Sequence, residues 1–538
     1  MLFRASCLVA AFAFSSWAQV TEPANFNVTE ALIEEGVDIT ELPLADLQSR
    51  SSNAACAVAC ASLDIIYSSN LFRDGEAAYD SFTDNYWAQQ QSNVNPYCIF
   101  KAPDTKSVSV AILISRLTTC PFAAKSGGHA AFKGASNIEG GITISLENLD
   151  SIKVSSDKKT VAIGSGNRWA RVYSELAKSD LAVIGGRVAP IGTGGLTTGG
   201  GISFFSGIYG WACDNVAAYD VILASGLTTT ASPTQNPDLY WALRGGGNNF
   251  GIVHTFHYEA IELPGNAMWG GGRVYLEDQF AGLTKAFANL VANSPKDPNA
   301  GQWVAWLTNQ GTKIASTELW YGNPNGGSAV IFNEYNNLTA ISDTTGPKKL
   351  AAYATELDAS NPYGLRETYY GLTVQADQAL AEIAKDIFFE ELPATANVAG
   401  ANPVLLYQGI TSGQIAAMRK NGGNPLGLTD PNKPLYLIHV ACWWQNEADD
   451  ATVYTMITKV LRRIKAEAKK RGKDSDYVYM NYASLYEDVI RSYGKANQQR
   501  LQSIGKKYDP QAVFQKLQPG YFKLHKAPVT GSPYFTGQ

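Results

Sequence analysis

A chain of 538 residues is too long for one hydrophobic core and long enough for two or three packed domains. Its 45% hydrophobic and 17% charged residues exclude a disordered chain, and a net charge of −5 with no dominant basic stretch argues against nucleic acid as a partner. The 27 Tyr and 11 Trp suit sites for flat, partly apolar molecules.

The chain opens on a targeting pattern. Arg4 supplies a positive charge, residues 7–14 an apolar run and Ser16-Trp17-Ala18 a small-residue cleavage signature, so residues 1–18 are expected to be a signal peptide. The run is too short for a membrane span of about 20 helical residues, and no later segment reaches that length. The expectation is a secreted protein with no membrane partner. Asn27-Val28-Thr29 and Asn337-Leu338-Thr339 are glycosylation sequons that fit this route.

Residues 19–55 are polar and weakly patterned, and read as a wrapping arm. Cys56, Cys60, Cys98 and Cys120 crowd the N-terminal region. In an oxidising compartment Cys56 and Cys60 are expected to pair with Cys98 and Cys120, in a connectivity that the sequence leaves open. A Cys-x-x-x-Cys metal site is the competing reading, but no His occurs before His129 and no metal is expected.

From about 92 to 262, short β-like runs at 108–114, 142–146, 160–164 and 221–224 alternate with Gly-rich loops, which argues an α+β domain. Between 267 and 475 aromatic strands and amphipathic helices take over. After Asp450, the residues Val453, Met456, Ile457, Val460, Leu461 and Ile464 recur at helical spacing, and a Lys/Arg-rich end suits the helix dipole.

Three Gly-rich loops stand out: Lys125-Ser126-Gly127-Gly128-His129 after a strand-like run at 121–124, the stretch 190–201 and the stretch 244–251. Consecutive glycines let backbone N–H groups converge on an anion such as a pyrophosphate. None is a Rossmann or Walker loop, and together they point to one extended ligand with several polar groups.

These loops, with Tyr209-Gly-Trp-Ala-Cys-Asp-Asn215, Asp238-Leu-Tyr-Trp-Ala-Leu-Arg-Gly-Gly-Gly247 and Asn249-Phe-Gly-Ile-Val253, are followed in order by Tyr479-Met-Asn481-Tyr482, Tyr493-Gly-Lys-Ala-Asn497 and Lys507-Tyr-Asp-Pro-Gln-Ala-Val-Phe514. The set resembles the FAD-linked oxidases of the vanillyl-alcohol-oxidase and p-cresol-methylhydroxylase superfamily. Within it the berberine-bridge-enzyme-like branch fits best, its secreted fungal members above all. The resemblance runs from about residue 60 to 530. It implies an α+β fold: a two-lobed FAD-binding domain of the p-cresol-methylhydroxylase type, plus an α/β substrate domain whose antiparallel sheet lies over the flavin. The division it implies is arm and start of the FAD domain at 19–91, FAD-binding domain at 92–264, substrate domain at 265–475 and a C-terminal segment, 476–538, returning to the FAD domain.

By the same resemblance, Ser126, Gly127 and Gly128 hold the FAD pyrophosphate, and His129 carries the flavin through an 8α-histidyl link. A neutral imidazole nitrogen can attack the flavin methyl carbon once that carbon is electrophilic. Lys125, Ile191, Gly192, Gly194, Gly195, Gly199, Gly200, Asp214, Asn215, Gly251, Ile252, Val253 and Asn481 complete the implied cofactor site. Members with a second link use a Cys-Pro-x-Val-Gly motif; here Val188 stands at the Cys position, so no Cys link is expected and Cys213 reads as a packed residue. Ile191 occupies a place where a smaller Val goes with rapid use of oxygen, which implies slow reoxidation by O2.

In the strand at 435–444, alternation puts Leu437, His439, Ala441 and Trp443 on one face and Tyr436, Ile438, Val440 and Cys442 on the other. The resemblance turns the first face to the flavin and aligns Leu437 with the Glu base of alkaloid-oxidising members, which speaks against their chemistry. His439 is then the available base, with Tyr479 and Tyr482 as phenols able to relay a proton. The alternative for His439 is a hydrogen-bonded core residue. The expected activity is oxidation of a small, largely apolar metabolite, an alcohol or activated C–H, in secondary metabolism, with O2 as a candidate acceptor. A non-redox isomerase or cyclase on the same scaffold, or a carbohydrate oxidase, are the alternatives.

Overall fold

The computed structural model describes residues 21–44, 52–531 and 534, so the signal-peptide expectation on 1–18 lies outside the described residues. Among the described residues the strands form three sheets. The first orders its strands Leu71–Phe72, Cys98–Lys101, Ile142–Ser145 and Phe122–Lys125, the last three mutually parallel. The helices Ser52–Tyr67 and Thr105–Thr118 join its core.

The second of these helices corrects the β-like run expected at 108–114. Residues 107–115 are buried all round, so they show no helical stripe, and period alone cannot separate a strand from a buried helix. The decisive signal is local: Asp104 accepts from the Ser107 N–H at 2.8 Å while the Asp104 N–H donates to Ser107 Oγ at 3.2 Å, a reciprocal cap. Four residues apart on one helix, Cys56 and Cys60 share a face and form the disulfides Cys56–Cys120 and Cys60–Cys98, resolving the open connectivity. The arm is also more ordered than its composition suggested: Asn27 caps a helix at Val28–Glu34, and Glu22 pairs with Arg116 at 2.7 Å, both side chains buried. Both sequon residues, Asn27 and Asn337, are exposed.

The second sheet is antiparallel in the order Ile152–Val154, Thr160–Gly164, Ile252–Glu262, Val216–Ile222 and Thr228–Ala231, with Leu181–Val183 on the far end of the long central strand. The third has eight strands between Ala267–Leu276 and Leu435–Trp444, all antiparallel. The strand Leu435–Trp444 alternates as expected. Its Tyr436, Ile438, Val440 and Cys442 enter a core with the helices Phe280–Asn293, Gln378–Glu391 and Asp450–Lys470, while Leu437 joins the core of the second sheet. The helix Asp450–Lys470 buries the stripe read from its spacing.

After that helix the chain returns to the first two sheets. Tyr493 Oη donates to the Gly245 carbonyl at 3.0 Å, and the Phe122 N–H donates to the Leu517 carbonyl at 2.6 Å. Among the described residues no helix is long and apolar enough to cross a membrane.

One buried ion pair holds the second sheet to the later chain. Arg244 bonds Asp214 at 3.0 Å with neither side chain exposed, and also donates to the carbonyls of Cys213, Lys420 and Gly423. Removing one partner strands the other charge. Asp214→Ala is expected to cost about 3–5 kcal/mol and lower the thermal midpoint of the holoprotein. Asp150→Ala, at the half-exposed pair with Arg171, should cost less than about 1 kcal/mol. Equal shifts would show that the buried pair is not a lock.

Candidate active site

A cavity of about 610 Å³ opens between the glycine loops of the first two sheets and the inner face of the third. The strand Phe122–Lys125 delivers Ser126, Gly127, Gly128 and His129 to its wall. Gly127 lies back to back with Gly192: a Cβ on either would stand 2.3 Å from the other's main-chain nitrogen, so no larger residue fits. Ser126 Oγ fastens the contact, donating to the Ser165 carbonyl at 2.6 Å and accepting from the Gly194 N–H at 3.2 Å. Gly128 turns at φ 73°, which releases His129 toward the cavity.

Of the residues expected at the cofactor, Ile191, Gly192, Gly194, Gly195, Gly251, Ile252, Val253 and Asn481 join that wall. A Cβ at Gly195 would meet nothing within 4 Å, an open backbone face suited to an anion. Asn481 donates to the Leu196 carbonyl at 3.0 Å and so pins the second loop.

Five expected residues lie outside the wall and brace it instead. Lys125 Nζ sits over the rings of Phe82 and Tyr86 at 4.5 and 5.0 Å, where burial, seconded by Arg168, brings its pKa down to about 8. Gly199 backs onto Asn481, and Gly200 onto Trp211 and Tyr479. Asp214 is spent on Arg244, and Asn215 donates to the carbonyls of Tyr209 and Trp211. Their bonds and packing in this structure go to the surrounding protein.

His129 stacks on Trp87 with ring centroids 4.1 Å apart, and its buried Nε2 has no hydrogen-bond partner. Burial pushes its pKa down to about 4, so the imidazole is neutral. Open glycine backbone for a pyrophosphate, aromatic walls for a flat ring and a neutral imidazole with a free nitrogen fit FAD. The free cysteines among the described residues, Cys213 and Cys442, are both buried and neither lines the cavity.

From the third sheet, His439, Ala441 and Trp443 face the cavity. His439 stacks on Tyr482 at 4.6 Å, its Nδ1 is without a partner, and burial with the charge of Arg187 brings its pKa down to about 3. Tyr482 Oη accepts from Arg187 at 2.9 Å. Tyr479 also lines the cavity. Its oxygen accepts from the N–H groups of Gly201 and Ile202 at 3.2 and 3.1 Å and from Asn481, which anchors the phenol, while burial raises its pKa.

Sequence reading missed Arg187, Glu367, Tyr369 and Trp87. Glu367 and Tyr369 alternate along Arg366–Gln375 as His439 and Ala441 do along the neighbouring strand, and that period could have found them. Glu367 is 2% exposed, lines the cavity and has an unpartnered Oε1.

A family model described as FAD binding domain matches residues 96–232, and one described as berberine and berberine like matches residues 478–519. A FAD-dependent monooxygenase of Cochliobolus heterostrophus is 36% identical over 463 residues, covering 82% of this chain and 87% of its own length. The bifunctional solanapyrone synthase of Alternaria solani is 30% identical over 475 residues, covering 87% and 89%. Among solved structures, 6-hydroxy-D-nicotine oxidase of Arthrobacter nicotinovorans shares the fold with a TM-score of 0.69 at 19% identity, over 82% of this chain and 96% of that one.

Glu367 gives the site a measurable pH signature. Burial pushes its carboxyl up from an ordinary 4.5 to about 9. The contribution of this group to stability is therefore fully present below its unfolded value and is lost as pH rises toward the folded one. The thermal midpoint of Glu367→Gln should gain on that of the parent steadily from about pH 5 to about pH 9. Curves that stay parallel would mean that Glu367 is ionised in the fold.

Proposed function

The chain belongs to the berberine-like family of FAD-dependent oxidoreductases, and from that premise we propose that it oxidises a small, largely apolar metabolite with FAD held covalently at His129. The observation that carries this reading is the neutral, unpartnered imidazole of His129 in a cavity wall built from two glycine loops. FAD bound there supplies a centre that accepts a hydride and passes the electrons to an acceptor such as O2. The names of the fungal relatives, a monooxygenase and a bifunctional synthase, support a small-molecule substrate in secondary metabolism. The two disulfides and exposed sequons support a secreted enzyme.

Ser126, Gly127, Gly128, Gly192, Gly194 and Gly195 hold the cofactor's phosphates, and Trp87 fixes the plane of His129. The absence of any free thiol from the wall supports a link through His129 alone. Ile191, in the same wall, narrows the approach of oxygen. His439 takes the substrate proton: its Nδ1 is free, and it is kept neutral so that it can accept. As a base held so weak, it matches a substrate whose proton is itself acidic. Tyr482, whose oxygen already accepts from Arg187, keeps its own O–H to donate to that substrate.

The test begins with the substrate, identified by comparing metabolites of a deletion strain and its parent. Anaerobic mixing should bleach the flavin of the holoprotein, and His439→Ala should slow bleaching by about 10²-fold or more, the usual scale for a general base. Product formed without bleaching would replace oxidation by isomerisation or cyclisation on the same scaffold. An unaltered rate in His439→Ala together with an inactive Tyr482→Phe would move the base to Tyr482.

A further inference from the structure

Besides Arg116, whose side chain holds Glu22, four arginines are buried among the described residues: Arg187, Arg244, Arg273 and Arg366. Three of them hold a carboxylate, from Asp214, Asp343 and Asp450 respectively. Arg187 holds none. Its Nη2 donates to Gln408 Oε1 at 2.8 Å and to Tyr482 Oη at 2.9 Å, an amide and a phenol, and its Nη1 has no partner. The guanidinium packs on the faces of Trp303 and Trp320, at 4.8 and 5.3 Å from the ring centroids, which keep water from it.

A charge taken out of water is costly unless an anion meets it, and a buried arginine is ordinarily paired for that reason. Here the guanidinium sits in the wall of the cavity, 5% exposed, bonded to Tyr482 and near enough to His439 for its charge to be felt there. Neither carboxyl in the same wall forms an ion pair with it. Glu318, which lies opposite Trp303 in the sheet, accepts from Tyr353 Oη at 2.7 Å, and burial brings it up to about 7 against the opposing pull of that bond and of the Lys348 and Arg187 charges. Glu367 is held protonated. The protein thus keeps one cation unpaired where a substrate arrives.

We propose that Nη1 of Arg187 receives an oxyanion of the substrate. The substrate class is then a largely apolar molecule bearing a carboxylate or the enolate of a 1,3-dicarbonyl, not a cationic amine or a neutral sugar. The proposal rests on reading the cavity as the substrate site of an oxidoreductase and adds the chemistry that the site selects. Tyr482 can donate to the same oxygen, because Arg187 already fills the acceptor side of its hydroxyl. Arg187 and the free Nδ1 of His439 would then bracket the reacting part of the molecule.

Equilibrium titration of the holoprotein, followed by perturbation of the flavin absorbance, tests this without turnover. The probes are benzoate, the enolate of dimedone and neutral benzamide. At least one of the two anions should bind about tenfold or more tightly than benzamide, as befits one charge-assisted hydrogen bond. The tighter anion identifies the source of the oxygen. Arg187→Met should erase the preference, and Arg187→Lys should restore part of it, since it keeps the charge but loses the planar fork. Equal binding of all three probes by the parent, no binding of either anion, or a preference that survives in Arg187→Met would overturn the proposal. The comparison within the parent needs no variant to fold. Anion preference in a protein whose flavin never bleaches would sink the redox reading and leave this one standing.

Discussion

Everything at the cavity floor depends on two glycines whose backbones touch, Gly127 from the first sheet and Gly192 from the second. The contact brings two loops of separate sheets to the shortest distance that polypeptide allows, and a single added methyl would force them apart. Ser126 ties both sides with one hydroxyl, and Asn481, arriving from the returning chain, pins the second loop from behind. Lys125, Asp214 and Asn215 act one layer further out, on rings, on a buried arginine and on carbonyls. The result is a rigid floor whose free backbone faces upward, the kind of support that positions a site more accurately than a loop standing alone.

The roof contributes side chains in the rhythm of a strand. One face of Leu435–Trp444 is committed to a core of helices, so the other is left to the cavity, and slipping the register by one residue would turn His439 into the helical core and Cys442 toward the cavity. What reaches the cavity from this sheet and the floor has an uneven charge balance. His129 and His439 are kept neutral and Glu367 is kept protonated by burial, while Arg187 bonds an amide and a phenol and forms no ion pair. Water exclusion explains each of the three neutral groups, and only the arginine needs something from outside.

Much of this was legible in the sequence where the signal is local. The alternation at 435–444, the helical stripe after Asp450 and the order of the glycine loops are written in residues a few positions apart, and the fold keeps them. The apolar run at 108–114 misled because a helix buried on every side shows no stripe, and its cap at Asp104 and Ser107 is the quieter clue. Gly199, Gly200, Asp214 and Asn215 belong to recognisable motifs, yet a motif records what a loop requires and does not separate ligand contacts from braces. Glu367 was within reach of the strand period along Arg366–Gln375, but Arg187 was illegible. Its significance is that it is buried without an ion-pair partner, a property set by segments hundreds of residues away, such as Gln408 and Tyr482.

The account turns on His129 as the point of flavin attachment, and peptide mass spectrometry tests this directly. The purified protein, precipitated in acid and digested, should yield one flavin-bearing peptide containing residue 129, and the His129→Ala protein should yield none. Flavin that washes out of the acid precipitate, or that is found on any other residue, would contradict the account.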